Sequence, residues 1–168
     1  MSDAIQTKQA RALAKKARWL KWGISLYPPY LGAGISVKSI SADFRQVQVQ
    51  MKLRWYNRNY VGTQFGGSLY SMTDPFYMLM LMQCLGPRYL VWDQASQIDF
   101  ISPGKGCVQA QFQLSDEQLV DIQRQTAQGE KYLPVFQVNI FDSQQRLIAR
   151  VQKTVYVRLK PEYRPATQ

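Results

Sequence analysis

Apolar and polar positions alternate with a period of two through several stretches. Val47, Val49, Met51 and Leu53 interleave with Gln48, Gln50, Lys52 and Arg54, which predicts a strand with one buried face. Ile35 to Ile40, Cys107 to Leu114, Tyr132 to Phe141 and Leu147 to Leu159 read the same way, the last two joined by a turn around Asp142 to Gln145. Tyr89 to Ile101, after the Gly86-Pro87 stop, predicts a long and bent strand. Gln46, Gln48 and Gln50, and again Gln109, Gln111 and Gln113, take the alternate, solvent-facing places.

The period changes between Gly66 and Leu85. Leu69, Met72, Phe76 and Met80 fall on one helical face and Tyr70, Tyr77, Leu81 and Cys84 on another, so this helix is apolar most of the way round and has to be enclosed. Residues 4–22 predict a second, basic helix. Leu13, Ala17, Leu20 and Ile24 give it a thin apolar stripe beside Lys8, Lys15, Arg18 and Lys21. Tyr27 to Gly34, with two prolines and two glycines, reads as a linker. Ser115 and Gln118 have the spacing of a capping box opening a helix that ends near Gly129. The expected fold class is α+β, with an antiparallel sheet wrapped around one long central helix and an extra N-terminal helix. The expected organisation is a basic helix and linker over 1–34, one domain over 35–160 and a frayed tail over 161–168.

Composition narrows the chemistry. The 168 residues hold no histidine, which removes Ser-His-Asp and Cys-His nucleophile pairs and imidazole metal ligands, and leaves a carboxylate as the general base. Cys84 and Cys107 are too few and too far apart for a metal knuckle; no metal and no disulfide are expected, and the thiols fit a reduced, cytoplasmic setting. No apolar run has the length of a spanning helix. The net charge of +10 draws the chain to something anionic. A phosphate-bearing metabolite, nucleic acid or a membrane surface satisfies the charge equally, though no nucleic-acid motif accompanies it. Residues 4–22 read either as such an anion-binding helix or as a surface helix with one face on the domain.

Asp74 is the anomaly, a carboxylate within the enclosed helix that has to be paired, hydrogen-bonded or kept for chemistry. Pro75 follows it and lacks the N–H that would bond the Ser71 carbonyl, which predicts a bend beside the acid. Asp93 and Asp99 are candidate supporting acids, Asp99 reading as a solvent-facing strand residue.

Asn59, the run Phe65-Gly66-Gly67, Asp74 nine positions after Phe65, and Ile98-Asp99-Phe100-Ile101-Ser102-Pro103-Gly104 stand in an order and spacing that resemble hotdog-fold thioesterases of the phenylacetyl-CoA (PaaI-like) branch. The resemblance implies hydrolysis of an acyl-CoA or related thioester, with coenzyme A as part of the substrate and no separate cofactor. It implies Asp74 as nucleophile or general base, and backbone N–H groups of Gly66 and Gly67 as oxyanion donors. Asn59, Thr63, Gln64 and Phe65 would contact or orient substrate. It further implies a homodimer or dimer of dimers in which Asp74 faces the partner's loop; no specific nucleic-acid partner is expected, since no binding motif accompanies the charge. Phe65 stands where the branch has histidine, and the alternative is a protein of this fold that binds acyl thioesters without turning them over.

Overall fold

The computed structural model describes residues 2–165, and the side chains of residues 7, 8 and 10–165. Six strands form: β1 Ile35–Ile40, β2 Gln46–Lys52, β3 Tyr89–Phe100, β4 Cys107–Gln113, β5 Val135–Asp142 and β6 Leu147–Leu159. They make one antiparallel sheet in the order β1-β2-β4-β5-β6-β3. The alternation in the sequence sets its two faces. Val47, Val49 and Met51 sit opposite Phe112, Ala110 and Val108, all buried, while Gln46, Gln48, Gln109, Gln111 and Gln113 point to solvent. Strand β3 has a register shift between Asp93 and Ala95, the bend its length predicted.

The inner face encloses the apolar helical segment, as a hotdog arrangement requires. That segment is two helices, not one continuous rod: α3 Gly66–Ser71 and α4 Phe76–Leu85. The interruption of the long central helix falls where a bend was predicted, since proline at 75 cannot donate to the Ser71 carbonyl. The Ser71 oxygen is not left free, however; the Asp74 amide donates to it at 3.2 Å and the Tyr30 hydroxyl lies 3.1 Å away. In α4, Phe76, Tyr77, Met80, Leu81 and Leu85 are buried, each contributing about 1.5–3 kcal/mol of apolar transfer. Tyr77 stacks on Phe136 with ring centroids 4.4 Å apart, and Phe76 packs on Phe112 at 4.9 Å.

The N-terminal segment contributes helix α1 Ser2–Ser25 and a short α2 Pro28–Ala33. The second replaces the expected linker, because Pro28 and Pro29 occupy the first helical positions, where a missing N–H is harmless. Gly34 closes α2 in the left-handed region, φ +73°, and a Cβ there would collide with the Asn57 amide that donates to the Ala33 and Lys52 carbonyls at 2.8 and 2.9 Å. Helix α1 lies along β1, burying Ala17, and its Ser25 Oγ accepts from the Val37 amide at 3.0 Å. Leu20 and Ile24 are partly buried and Leu13 is exposed, so the stripe covers only the C-terminal half; the side chains of residues 4–6 and 9, part of the same reading, lie outside the described residues.

Helix α5 Asp116–Thr126 opens with both halves of the predicted capping box. A 3-10 turn, Pro161–Tyr163, occupies what the sequence read as a frayed tail, and Arg88 sits over the Tyr163 ring; residues 166–168 lie outside the described residues.

Candidate functional site

The loop between β2 and α3 delivers the diglycine to the mouth of a cleft. Asn59 pins this loop. Its Nδ2 donates to Thr63 Oγ1 at 2.8 Å and to the Gln64 carbonyl at 3.2 Å, and its Oδ1 accepts from the Thr63 amide at 2.9 Å. The cleft, about 350 Å³, is lined by Asn59, Thr63, Gln64, Gly66 and Leu69 on one side and by Phe100 through Gly104 on the other. The Phe65 carbonyl takes the amides of Ser68 and Leu69, and the Phe65 side chain does not cap the helix. Gly66 and Gly67, first and second in α3, therefore have N–H groups with no intrahelical acceptor. At both positions a side chain would press on a neighbouring aromatic ring, which would have to turn aside. A Cβ on Gly66 would stand 3.0 Å from the Phe100 ring, and one on Gly67 would stand 2.6 Å from the ring of Phe65.

Gln64 is buried, and its Nε2 donates to the Gly106 carbonyl at 3.0 Å. Its Oε1 has no hydrogen-bond partner among the described residues. An unpaired acceptor in a cleft wall is a demand for a donor.

Asp74 occupies the break between α3 and α4 and does not line this cleft. Its Oδ1 accepts from Lys153 Nζ at 2.8 Å, and the same ammonium reaches Asp93 Oδ2 at 3.2 Å. Lys153 is fully buried, whereas the Asp74 side chain is 45 % exposed and that of Asp93 only 20 %. The ammonium also stands over the Tyr70 ring at 5.3 Å.

Burial opposes ionisation of both acids, and the shared lysine decides between them. Hydrogen bonds from Lys153 and Asp93 outweigh desolvation at Asp74 and hold its carboxyl below the usual range. Asp93, more deeply set and beside the Asp74 charge, is pushed up to about 6. Desolvation acts against the lysine charge too, but the two carboxylates overcome it and raise the Lys153 pKa. The Tyr30 hydroxyl, already near the Ser71 carbonyl, also donates to the main-chain oxygen of Asp74, so α2 clasps the acid's own backbone.

Within one chain the predicted site residues form two groups. Asn59, Thr63, Gln64 and Gly66 share the cleft, Phe65 and Gly67 flank Gly66 in the chain without lining it, and Asp74 stands apart with Asp93 and Lys153. The side-chain amides of Asn59 and Gln64 are spent on the loop and on the Gly106 carbonyl. Asp99 is exposed, its carboxylate 3.4 Å from the Gln97 amide, as its strand position predicted.

A model of DUF4442, described as a domain of unknown function, matches residues 15–157. The chain belongs to the DUF4442 family. No curated protein matches this sequence. Among solved structures, this DUF4442 chain is similar to a Pseudomonas aeruginosa protein of unknown function described as a probable thioesterase, at 16 % identity over 92 % of this chain and 96 % of that one, TM-score 0.71. A Haemophilus influenzae thioesterase aligns at 15 % identity over 85 % and 90 % of the two chains, TM-score 0.62. The PaaI protein of the Escherichia coli phenylacetic acid degradation operon aligns at 20 % identity over 88 % and 96 %, TM-score 0.60. The DUF4442 chain therefore has the hotdog fold of the PaaI-like thioesterases.

Proposed function

We propose that this protein hydrolyses an acyl-CoA or related acyl thioester. The observation that carries the reading is the diglycine at the cleft mouth. Leu69, Phe100 and Ile101 provide apolar walls for an acyl group, and the amides of Gly66 and Gly67 provide two N–H donors for its carbonyl oxygen as that oxygen becomes negative. Asp74, ionised at neutral pH, then serves as general base for a water or as nucleophile on the carbonyl carbon, and the C–S bond breaks to release the thiol. Since Asp74 lies outside its own chain's cleft, the reading requires a homodimer in which the acid of one copy serves the diglycine of the other. The free edge of β3, twelve residues long, and the exposed Phe65, Phe100 and Ile101 support such an association.

Thiol release from a panel of acyl-CoAs tests the proposal. Asp74→Asn should lower turnover by roughly 100- to 10,000-fold, the range for loss of a positioned base. Equal rates for native and variant would remove Asp74 from the chemistry. Two observations favour the second reading, a binder of acyl thioesters without turnover: Phe65 offers no hydrogen bond at the diglycine, and Lys153 holds the Asp74 pKa low, which weakens it as a base. Measurable acyl-CoA affinity with no thiol release from any substrate would establish that reading.

A further inference from the structure

The face of α1 turned away from the sheet has a composition of its own. Lys8, Arg11, Lys15, Trp19, Trp22 and Leu26 follow one another at steps of three or four residues, so they run in a line along the helix and onto the turn after it. The line is cationic in its first half and apolar in its second. Tyr27 and Leu31 extend the apolar end, and these five large side chains, from Trp19 to Leu31, are each between 51 % and 67 % exposed. Lys16, Arg18 and Lys21 flank the line, and Lys21 Nζ stands 5.9 Å from the Trp22 ring centroid.

No Asp or Glu occurs between residues 7 and 42. Among the described residues none of these helix cations has a carboxylate partner. The apolar side chains are not surplus core either, since Ala17, Leu20 and Ile24 already fill the face against β1.

We propose that this face docks on an anionic lipid surface, with the tryptophans and leucines entering the headgroup–acyl boundary and the lysines and arginines facing lipid phosphates. Three features choose this occupant. A second copy of the chain would bring two carboxylate-free cationic faces together, which repels across a twofold contact. A nucleic-acid backbone satisfies the cations but offers Leu26 and Leu31 nothing apolar to enter. Indole rings beside lysines, with aliphatic side chains at the same level, suit an interface that is charged outside and apolar just beneath. No described helix is long and apolar enough to cross a bilayer, so the contact is lateral.

The test is flotation of the full chain with vesicles of phosphatidylcholine alone and of equimolar phosphatidylcholine and phosphatidylglycerol. Binding is expected to the mixed vesicles only, and to be lost at high salt. The double variants Lys15→Glu with Arg18→Glu, and Trp19→Ser with Trp22→Ser, should each weaken it about tenfold or more. A readout independent of those variants is fluorescence in a Trp55→Phe, Trp92→Phe background, where brominated acyl chains should quench Trp19 and Trp22. Equal binding to both vesicle types, unchanged binding by both variants, or unquenched tryptophans would each overturn the proposal. So would an oligomer that dissociates when Trp19 and Trp22 are replaced, which assigns the face to a second copy, or binding of duplex oligonucleotide with no vesicle binding.

Discussion

A buried lysine between two carboxylates is the residue on which the geometry around Asp74 turns. Removing one member of such a cluster strands the others, so Lys153→Met should destabilise the fold by roughly 3 kcal/mol in chemical denaturation. Adding Asp93→Asn should recover part of that loss. Asp93 makes a pH prediction of definite sign. Its folded pKa of about 6 lies above the ordinary 3.8, so the stability it contributes is present at and below 3.8 and is lost as pH rises through about 6. The Tm of Asp93→Asn minus that of the native protein should therefore increase across this window. A flat difference would show that Asp93 titrates normally. Lys153 was legible in principle: it takes an inward place in the alternation of Val151, Val155 and Val157 on β6, where a charge needs a partner. What the sequence did not contain was the partner's address, because Asp74 and Asp93 lie on other elements and meet the lysine only once the sheet has closed on the helix break.

Among the elements, the strands were the easiest to read, since a period of two with glutamine on the wet side has one structural solution. The boundary at 72–75 was harder. Proline predicted a bend, but a full interruption depends on a donor to the carbonyls it exposes, and that is the Tyr30 hydroxyl, more than forty residues earlier. The same hydroxyl explains why Tyr27 to Gly34 is a helix and not a linker; the tyrosine must be presented inward, and α2 buries it against Phe76 with centroids 6.3 Å apart. Tyr30→Phe should reduce stability by about 1–2 kcal/mol, the range for leaving an acceptor, here the Asp74 carbonyl, without its donor. If Asp74 is the working acid, turnover should fall as well, with KM little changed, because the variant loosens the acid's backbone and leaves the cleft intact. A loss of stability with unaltered turnover would separate the clasp from the chemistry.

For the whole molecule, the separation of Asp74 from the diglycine within one chain makes oligomeric state and activity a single question. The particle should have twice the 19.4 kDa chain mass in light scattering. Gly66→Val should plug the cleft against Phe100, and Asp74→Asn should remove the acid. Co-refolded in equal amounts, these two inactive variants should regain about a quarter of native turnover, since half the dimers are mixed and each mixed dimer has one intact site. No recovery would mean that acid and diglycine work within one chain or not at all. The order of Asn59, the diglycine, Asp74 and the Phe100 loop was readable from sequence because it is local spacing; which copy's acid meets which glycines is a property of an assembly, and no spacing along one chain encodes it.

The tyrosine clasp has a practical corollary for trimming this protein. A version that starts at Ile35 would retain every strand, yet it would leave two carbonyl oxygens at the helix break facing solvent and unmoor the stretch that presents the acid. Shortened forms should thus fold into the right sheet and still handle thioesters poorly, so a weak result from such a fragment would say little about the intact chain.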